Sequence, residues 1–132
     1  MIEGQLPTVH KTVLVADDER SLRLLVNATI ASDQYTVIEA TDGDEAWRLL
    51  LEHQPAVALL DVQMPGRSGL DLARAIRREP ELSGIHVVLL TSKAQDADIK
   101  EGLAAGVDRY LTKPFSPLEL LTVVEEALGL AS

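Results

Sequence analysis

The sequence has no cysteine and very few aromatic residues. The first absence excludes thiol chemistry, and the second limits the composition of the core. Without cysteine, the 132-residue chain has no disulfide, no thiolate zinc site and no thiol nucleophile. Aromatic residues make up only 3% of it, so the core must be aliphatic. No stretch reaches the ~18 apolar residues of a membrane span, and residues 1–11 lack the pattern of a signal peptide. We therefore expect a cytoplasmic protein with no membrane partner.

Positive charge is also scarce. Lys and Arg number 12 and Asp and Glu 21, which gives a formal charge of −9. That is the wrong sign for neutralising a phosphate backbone, so we expect no direct nucleic-acid partner. The length suits one domain. We predict a single domain over residues 12–130, after a flexible N-terminal arm at residues 1–11 that has no hydrophobic period.

Five short apolar runs alternate with helical patterns. The runs are mostly continuous in Val, Ile and Leu, which is typical of strands covered on both faces, and they lie at 12–16, 35–39, 56–60, 85–91 and 107–111. Helical spacing separates them, as in Leu22, Val26 and Ile30 of the first helix. The last helix repeats the spacing at Leu121, Val124 and Leu128. The pattern predicts an α/β fold with a doubly wound, five-stranded parallel sheet in three layers.

Helix start and stop signals support these divisions. Ser116, Pro117 and Glu119 have the capping-box arrangement that opens a helix. Weaker cap pairs open two other helices, Asp42 with Glu45 and Ser68 with Asp71. Gly102 and Gly106 mark the fourth helix and its exit, and Gly129 ends the fifth.

Polar residues stand where the predicted strands end, at Asp17, Glu39, Asp61, Thr91 and Lys113. In an open parallel sheet the ligand crevice lies outside these carboxyl ends. Asp17, Asp18 and Asp61 would bring three carboxylates together, and such a cluster requires a cation. Oxygen ligands suit Mg²⁺, with Mn²⁺ as the alternative. Taken alone, the Asp17-Asp18 pair equally fits charges that complement a helix dipole.

Four segments taken together resemble the receiver domain of two-component response regulators. They are VLVADDE at 13–19, LLDVQMPG at 59–66, LLTS at 89–92 and YLTKPF at 110–115, and the resemblance spans about residues 12 to 129. It implies a flavodoxin-like strand order of 2-1-3-4-5 and a cis peptide bond between Lys113 and Pro114.

The resemblance also implies a role for each site residue. Asp61 would be the phosphoacceptor, Thr91 would bind the phosphoryl group and Lys113 would stabilise it. The metal ligands would be Asp17, Asp18, Asp61 and the backbone carbonyl of Gln63. The side chains of Gln63 and Lys93 would tune the lifetime of the phosphoryl group.

Thr91 and Tyr110 form the implied switch. Tyr110 stands at an odd offset from Lys113, so strand alternation points the two side chains to opposite faces. In similar proteins the aromatic residue swings inward when the threonine is drawn to the phosphoryl group, and this alters the surface of the fourth helix, fifth strand and fifth helix. The alternative is a half-buried tyrosine with a hydrated hydroxyl and no functional role.

The implied partners are a sensor histidine kinase or phosphotransfer domain as donor, and a downstream protein at the switched surface. The last helix has more apolar residues than one core face needs, namely Leu118, Leu120, Leu121, Val123, Val124, Leu128 and Leu130. The excess fits a contact with a partner or with a second copy in a homodimer. It equally fits apolar residues that are simply tolerated near the end of the chain. Regulators with winged-helix outputs usually carry two acids before the aromatic residue and basic residues on this helix. Asp108-Arg109, with Glu119, Glu125 and Glu126, departs from that dimer pattern.

Three rival functions remain. An aspartate-nucleophile phosphohydrolase would, by resemblance, carry a second acid two residues after Asp61, where this chain has Gln63. A non-phosphorylated docking domain would keep the fold without labelling at Asp61. A flavin mononucleotide module is disfavoured by the acids where its phosphate would sit. The main hypothesis is a phosphoacceptor signalling domain and not an enzyme.

Overall fold

The computed structural model describes residues 11–32, 34–92 and 96–129. Strands and helices alternate along this part of the chain, as the apolar runs predict. Its strands are β1 (Lys11–Ala16), β2 (Tyr35–Ala40), β3 (Val57–Asp61), β4 (His86–Thr91) and β5 (Arg109–Thr112). Its helices are α1 (Arg20–Ile30), α2 (Gly43–His53), α3 (Gly69–Arg78), α4 (Asp96–Ala105) and α5 (Pro117–Ala127).

The strands form one sheet, and every pairing in it is parallel. The order is β2-β1-β3-β4-β5, which confirms the predicted topology. The order reverses between β1 and β3, and that is the point at which an open α/β sheet forms its ligand crevice.

Two apolar layers cover the sheet, one on each face. The layer under α1 and α5 includes Val13 and Val15, whereas Leu14 and Ala16 belong to the layer under α2, α3 and α4. This alternation buries β1 on both faces and explains why its sequence is continuously apolar. Among the helices, Leu22, Val26 and Ile30 are the buried residues of α1, as predicted.

The capping predictions are confirmed. The Ser116 hydroxyl accepts a hydrogen bond from the Glu119 N–H, and the Glu119 carboxylate accepts one from the Ser116 N–H, which completes the capping box of α5. The Asp42 side chain accepts a hydrogen bond from the Glu45 N–H at the start of α2, and the Ser68 side chain accepts one from the Asp71 N–H at the start of α3. Gly106 follows α4 with a φ of 91°, a value that favours glycine.

Some boundaries and faces differ from the predictions. In α5 the buried residues are Leu120, Val123 and Val124, whereas Leu121 and Leu128 are only half-buried, because the helix is apolar on more than one side. Gly102 does not interrupt α4, which continues to Ala105. Of the predicted arm, residues 1–10 lie outside the described residues, and Lys11 is the first residue of β1. No described helix has the length and apolarity needed to span a bilayer.

Candidate functional site

Strand register brings the predicted site residues to one edge of the sheet. Ala16 of β1 pairs with Leu60 of β3, so the residues that follow them, Asp17 and Asp61, are neighbours. Thr91, the last residue of β4, pairs with Thr112 of β5, which directly precedes Lys113.

Strand alternation then sorts these residues into two groups. Asp17, Asp61 and Lys113 continue the alternate positions that face α1 and α5 in their strands. Thr91 and Tyr110 continue the positions that face α2, α3 and α4, and Tyr110 packs against that apolar layer. The predicted opposition of Tyr110 and Lys113 is therefore confirmed.

The Lys113 ammonium lies between two carboxylates. Lys113 Nζ is 2.7 Å from Asp17 Oδ2 and 3.4 Å from Asp61 Oδ2. Asp17 is fully buried, and only 13% of the Lys113 side chain is exposed. The exposed Glu19 carboxylate approaches the same ammonium, at 3.5 Å. The peptide bond between Lys113 and Pro114 is cis, as predicted.

The surroundings of this cluster shift two pKa values. Burial and the charge of Asp17 raise the pKa of Asp61 above 3.8, against the opposing effects of the Gln63 N–H and of Lys113. Burial alone would lower the pKa of Lys113, but the contacts with Asp17, Asp61 and Glu19 outweigh it and raise this pKa above 10.5. The positive charge of Lys113 is therefore held firmly, whereas the charge of Asp61 is costly.

The acidic residues fit a divalent cation. Asp17, Asp18 and Asp61 each offer a carboxylate oxygen, and these oxygens lie within 4.8 Å of one another. One ammonium cannot balance three carboxylates, and the Glu19 carboxylate adds further negative charge beside it. Asp17 Oδ2 is buried and accepts no hydrogen bond of good geometry from the described residues, although the Lys113 ammonium forms an ion pair with it. An oxygen-only donor set that includes a buried carboxylate oxygen suits Mg²⁺.

Backbone groups orient two of these carboxylates. The Glu19 N–H donates to Asp17 Oδ1 at 2.9 Å, and the Gln63 N–H donates to Asp61 Oδ1 at 3.2 Å. The Asp17 contact ends on Glu19, which precedes α1, and α1 itself has no side-chain cap hydrogen bond. Each buried acid keeps its second oxygen, Oδ2, toward Lys113.

A cavity of about 310 Å³ opens beside Asp61, on the face opposite Lys113. Thr91, which is 9% exposed, and the half-buried Tyr110 line it. The remaining lining residues are Val62, Gln63, Leu70, Leu89 and Ser92. Lys93 lies outside the described residues.

One residue near the site, Arg23, was not predicted from the sequence. Arg23 Nη1 donates to the carbonyl of Asp17 at 2.8 Å, and Arg23 Nε pairs with Glu39 at 3.2 Å. Glu39, although it ends a strand, is thus a partner of Arg23 at the margin of the cluster. An arginine one turn into a predicted helix is too common in sequences to indicate a site.

Comparisons with known proteins agree with this geometry. The sequence model described as the response regulator receiver domain matches residues 13–125. The phosphate regulon transcriptional regulatory protein PhoB of Pseudomonas aeruginosa is 35% identical over 120 residues, which cover 91% of this chain and 52% of that protein. The transcriptional regulatory protein ResD of Bacillus subtilis is 38% identical over 125 residues, covering 95% and 51%. The chain thus spans about half the length of these relatives.

Solved structures give the same result. The chemotaxis response regulator CheY4 of Vibrio cholerae superposes with a TM-score of 0.84 at 30% identity, covering 89% of this chain and 98% of that one. The Francisella response regulator 1452 receiver domain gives a TM-score of 0.82 at 30% identity, covering 91% and 98%.

Proposed function

This chain belongs to the response regulator receiver domain family of two-component systems, and on that basis we propose that its Asp61 accepts a phosphoryl group. The observation that carries the proposal is the Lys113 ammonium held between buried Asp17 and Asp61, next to a cavity that Thr91 lines. This arrangement places a fixed positive charge on one side of the nucleophile Asp61 and a hydroxyl on its other side.

Each residue has a distinct part in the proposed transfer. A carboxylate oxygen of Asp61 forms the new P–O bond while the P–N bond of a phosphohistidine donor breaks and the leaving nitrogen takes up a proton from solvent. Lys113, whose raised pKa keeps it charged, balances the negative charge of the transferred group. The Thr91 hydroxyl donates a hydrogen bond to a phosphoryl oxygen. The protein's contribution is positioning and electrostatic stabilisation.

A divalent cation completes the proposed site. Asp17, Asp18, Asp61 and the backbone carbonyl of Gln63 would hold Mg²⁺, or Mn²⁺ in its place. When bound, the ion supplies positive charge that offsets the charge of the transferring phosphoryl group. The exposed side chain of Gln63 lines the cavity, which supports a role in the lifetime of the phosphoryl group, a role also proposed for Lys93.

The proposed output is the surface of α4, β5 and α5, with Thr91 and Tyr110 as its switch. Leu103 of α4 is 62% exposed and Leu118 of α5 is 72% exposed, so this surface offers apolar contacts to a protein partner or a second copy. Arg109 of β5 pairs with Glu126 of α5 within the chain. That internal pair supports an output contact made by apolar residues in preference to a charge-paired dimer.

The proposed partners follow from the chemistry. A sensor histidine kinase or a phosphotransfer domain supplies the phosphoryl group, and we propose that the transfer occurs in the cytoplasm. The domain assists only its own phosphorylation and dephosphorylation, because Gln63 stands where a phosphohydrolase would carry a second acid. The acidic composition supports protein partners over nucleic acid.

Labelling with a small radioactive acyl phosphate tests the proposal. We expect Mg²⁺-dependent label in the native chain and none in Asp61→Asn, with native labelling in Asp44→Asn, which alters an exposed acid in the first turn of α2. Label retained in Asp61→Asn would assign the acceptor elsewhere. No label in any variant would favour the docking domain, and steady release of phosphate from small phosphomonoesters would favour the phosphohydrolase.

A further inference from the structure

Gly102 occupies an unusual position in α4. Glycine destabilises a helix interior relative to alanine, because it loses more backbone freedom on folding. α4 nevertheless runs through Gly102 and ends three residues later, so this glycine is neither a cap nor a break. Gly106, just beyond the helix, already supplies the conformation that ends it. Gly102 therefore needs another explanation.

The explanation is its closeness to Tyr110. A Cβ atom at position 102 would lie 1.6 Å from the Tyr110 hydroxyl oxygen, 2.5 Å from Cζ and 3.1 Å from Cε2. These atoms form the end of a rigid ring, which cannot bend away as a flexible chain would. The ring of Tyr110 thus rests directly on the backbone of α4, in space that any other residue at position 102 would fill.

We infer that Gly102 is the positioning residue of the proposed switch, because its missing side chain admits the Tyr110 ring between β5 and α4. This inference rests on the proposed function, in which Tyr110 links the phosphoryl site to the output surface. In Gly102→Ala the ring has to leave the wall of the cavity that it shares with Asp61 and Thr91. The site residues themselves are untouched by the substitution. Gly102→Ala is therefore expected to keep phosphorylation and lose the response.

The first test observes the ring without phosphorylation. The chain has two tyrosines, so ring-labelled ¹³C-tyrosine gives two sets of NMR signals, which Tyr35→Phe assigns. A soluble paramagnetic probe broadens the signals of exposed rings. We expect Gly102→Ala to increase the broadening of Tyr110 and leave Tyr35 unchanged. Gly84→Ala is the matched control, since a Cβ there meets no atom within 4 Å, and it should give the native pattern.

A second test covers the case in which Gly102→Ala folds poorly. Tyr110→Ala removes the ring, so the double variant Gly102→Ala/Tyr110→Ala should melt at no lower temperature than Tyr110→Ala alone. Absence of this rescue, or a Tyr110 ring that stays as shielded in Gly102→Ala as in the native chain, would overturn the inference.

The third test separates the inference from the proposed function. Gly102→Ala should accept label at Asp61 as the native chain does, and adding beryllofluoride as a phosphoryl mimic should no longer shift the Tyr110 signals. Loss of labelling in Gly102→Ala alone would contradict a pure positioning role. If no variant is labelled, the proposed function fails, while the ring measurement still decides whether Gly102 positions Tyr110.

Discussion

Replacing Lys113 with methionine is expected to destabilise the metal-free protein strongly. The ammonium lies 2.7 Å from one buried carboxylate and 3.4 Å from another. At an effective dielectric constant of about 20, these separations correspond to attractions of about 6 and about 5 kcal/mol. Desolvation of the three groups offsets most of this energy. Removing this ammonium, however, takes the ion-pair partner from both Asp17 and Asp61, and losses of this kind are about 3–5 kcal/mol.

The pH dependence of this destabilisation tests whether the charge of Lys113 causes it. The pKa of Lys113 is raised, so its contribution to stability is complete below 10.5 and disappears as the pH rises through the native pKa. At the acid end the carboxylates become neutral, and Asp61, with its raised pKa, does so before an ordinary aspartate. The difference between native and Lys113→Met should therefore be largest near neutral pH and shrink toward both extremes.

Urea unfolding in EDTA measures the effect. Lys100→Met, which removes an exposed charge from α4, should stay within about 0.5 kcal/mol of the native chain. Added Mg²⁺ should restore part of the loss, since a ligand at one hundred times its Kd stabilises by about 2.7 kcal/mol. Equal unfolding midpoints for Lys113→Met and Lys100→Met would refute the view that this ammonium compensates the buried acids.

Three further substitutions test other parts of the argument. Asp61→Asn should raise the melting temperature of the metal-free protein at pH 7, because burial raises the pKa of Asp61 and makes its charged form destabilising. This destabilisation is absent below pH 3.8 and grows as the pH rises through the native pKa. A gain in melting temperature that persists at pH 3 would contradict the assignment. Ser116→Ala should cost about 1 kcal/mol in urea unfolding, because it removes the acceptor for the Glu119 N–H. Gly43→Ala should cost about 1–3 kcal/mol despite the better helix propensity of alanine, because its Cβ would lie 2.0 Å from the Arg67 carbonyl oxygen; a stabilised variant would show that this loop yields easily.

The sheet could be predicted because its strands are buried on both faces. Each interior strand contributes side chains to two apolar layers, so its sequence is continuous and its position is clear. The face of α5 could not be predicted in the same way. With leucines around most of the helix, spacing alone favoured Leu121 and Leu128, whereas packing against α1 and the sheet buries Leu120 and Val123. A hydrophobic pattern locates a helix better than it orients one whose apolar residues exceed one face.

The site residues could be predicted wherever strand geometry determines their position. Parallel strands deliver Asp17, Asp61 and Thr91 to one edge whatever the helices do. The contacts of Arg23 depend on how α1 is rotated above that edge, and the fit of Tyr110 against Gly102 depends on a separation of a few ångströms between two elements. Residue type and spacing predict neither the rotation of α1 nor the separation between β5 and α4. Glycine at position 102 is evident in the sequence, but by itself it indicates a helix boundary.

Asp61 is the residue at which the two faces of the edge meet. On one face it contacts Lys113, which belongs with Asp17 in the charged cluster, and on the other it lines the cavity with Thr91 and Tyr110. A charge added at Asp61 therefore acts on both groups at once, whereas Lys113 and Tyr110 lie on opposite faces. Stabilisation of the phosphoryl group and the response to it should accordingly fail separately, the first in Lys113 variants and the second in Gly102 variants. Such independence is what a switch requires, because its affinity for a donor and its effect on a partner can then be adjusted one at a time.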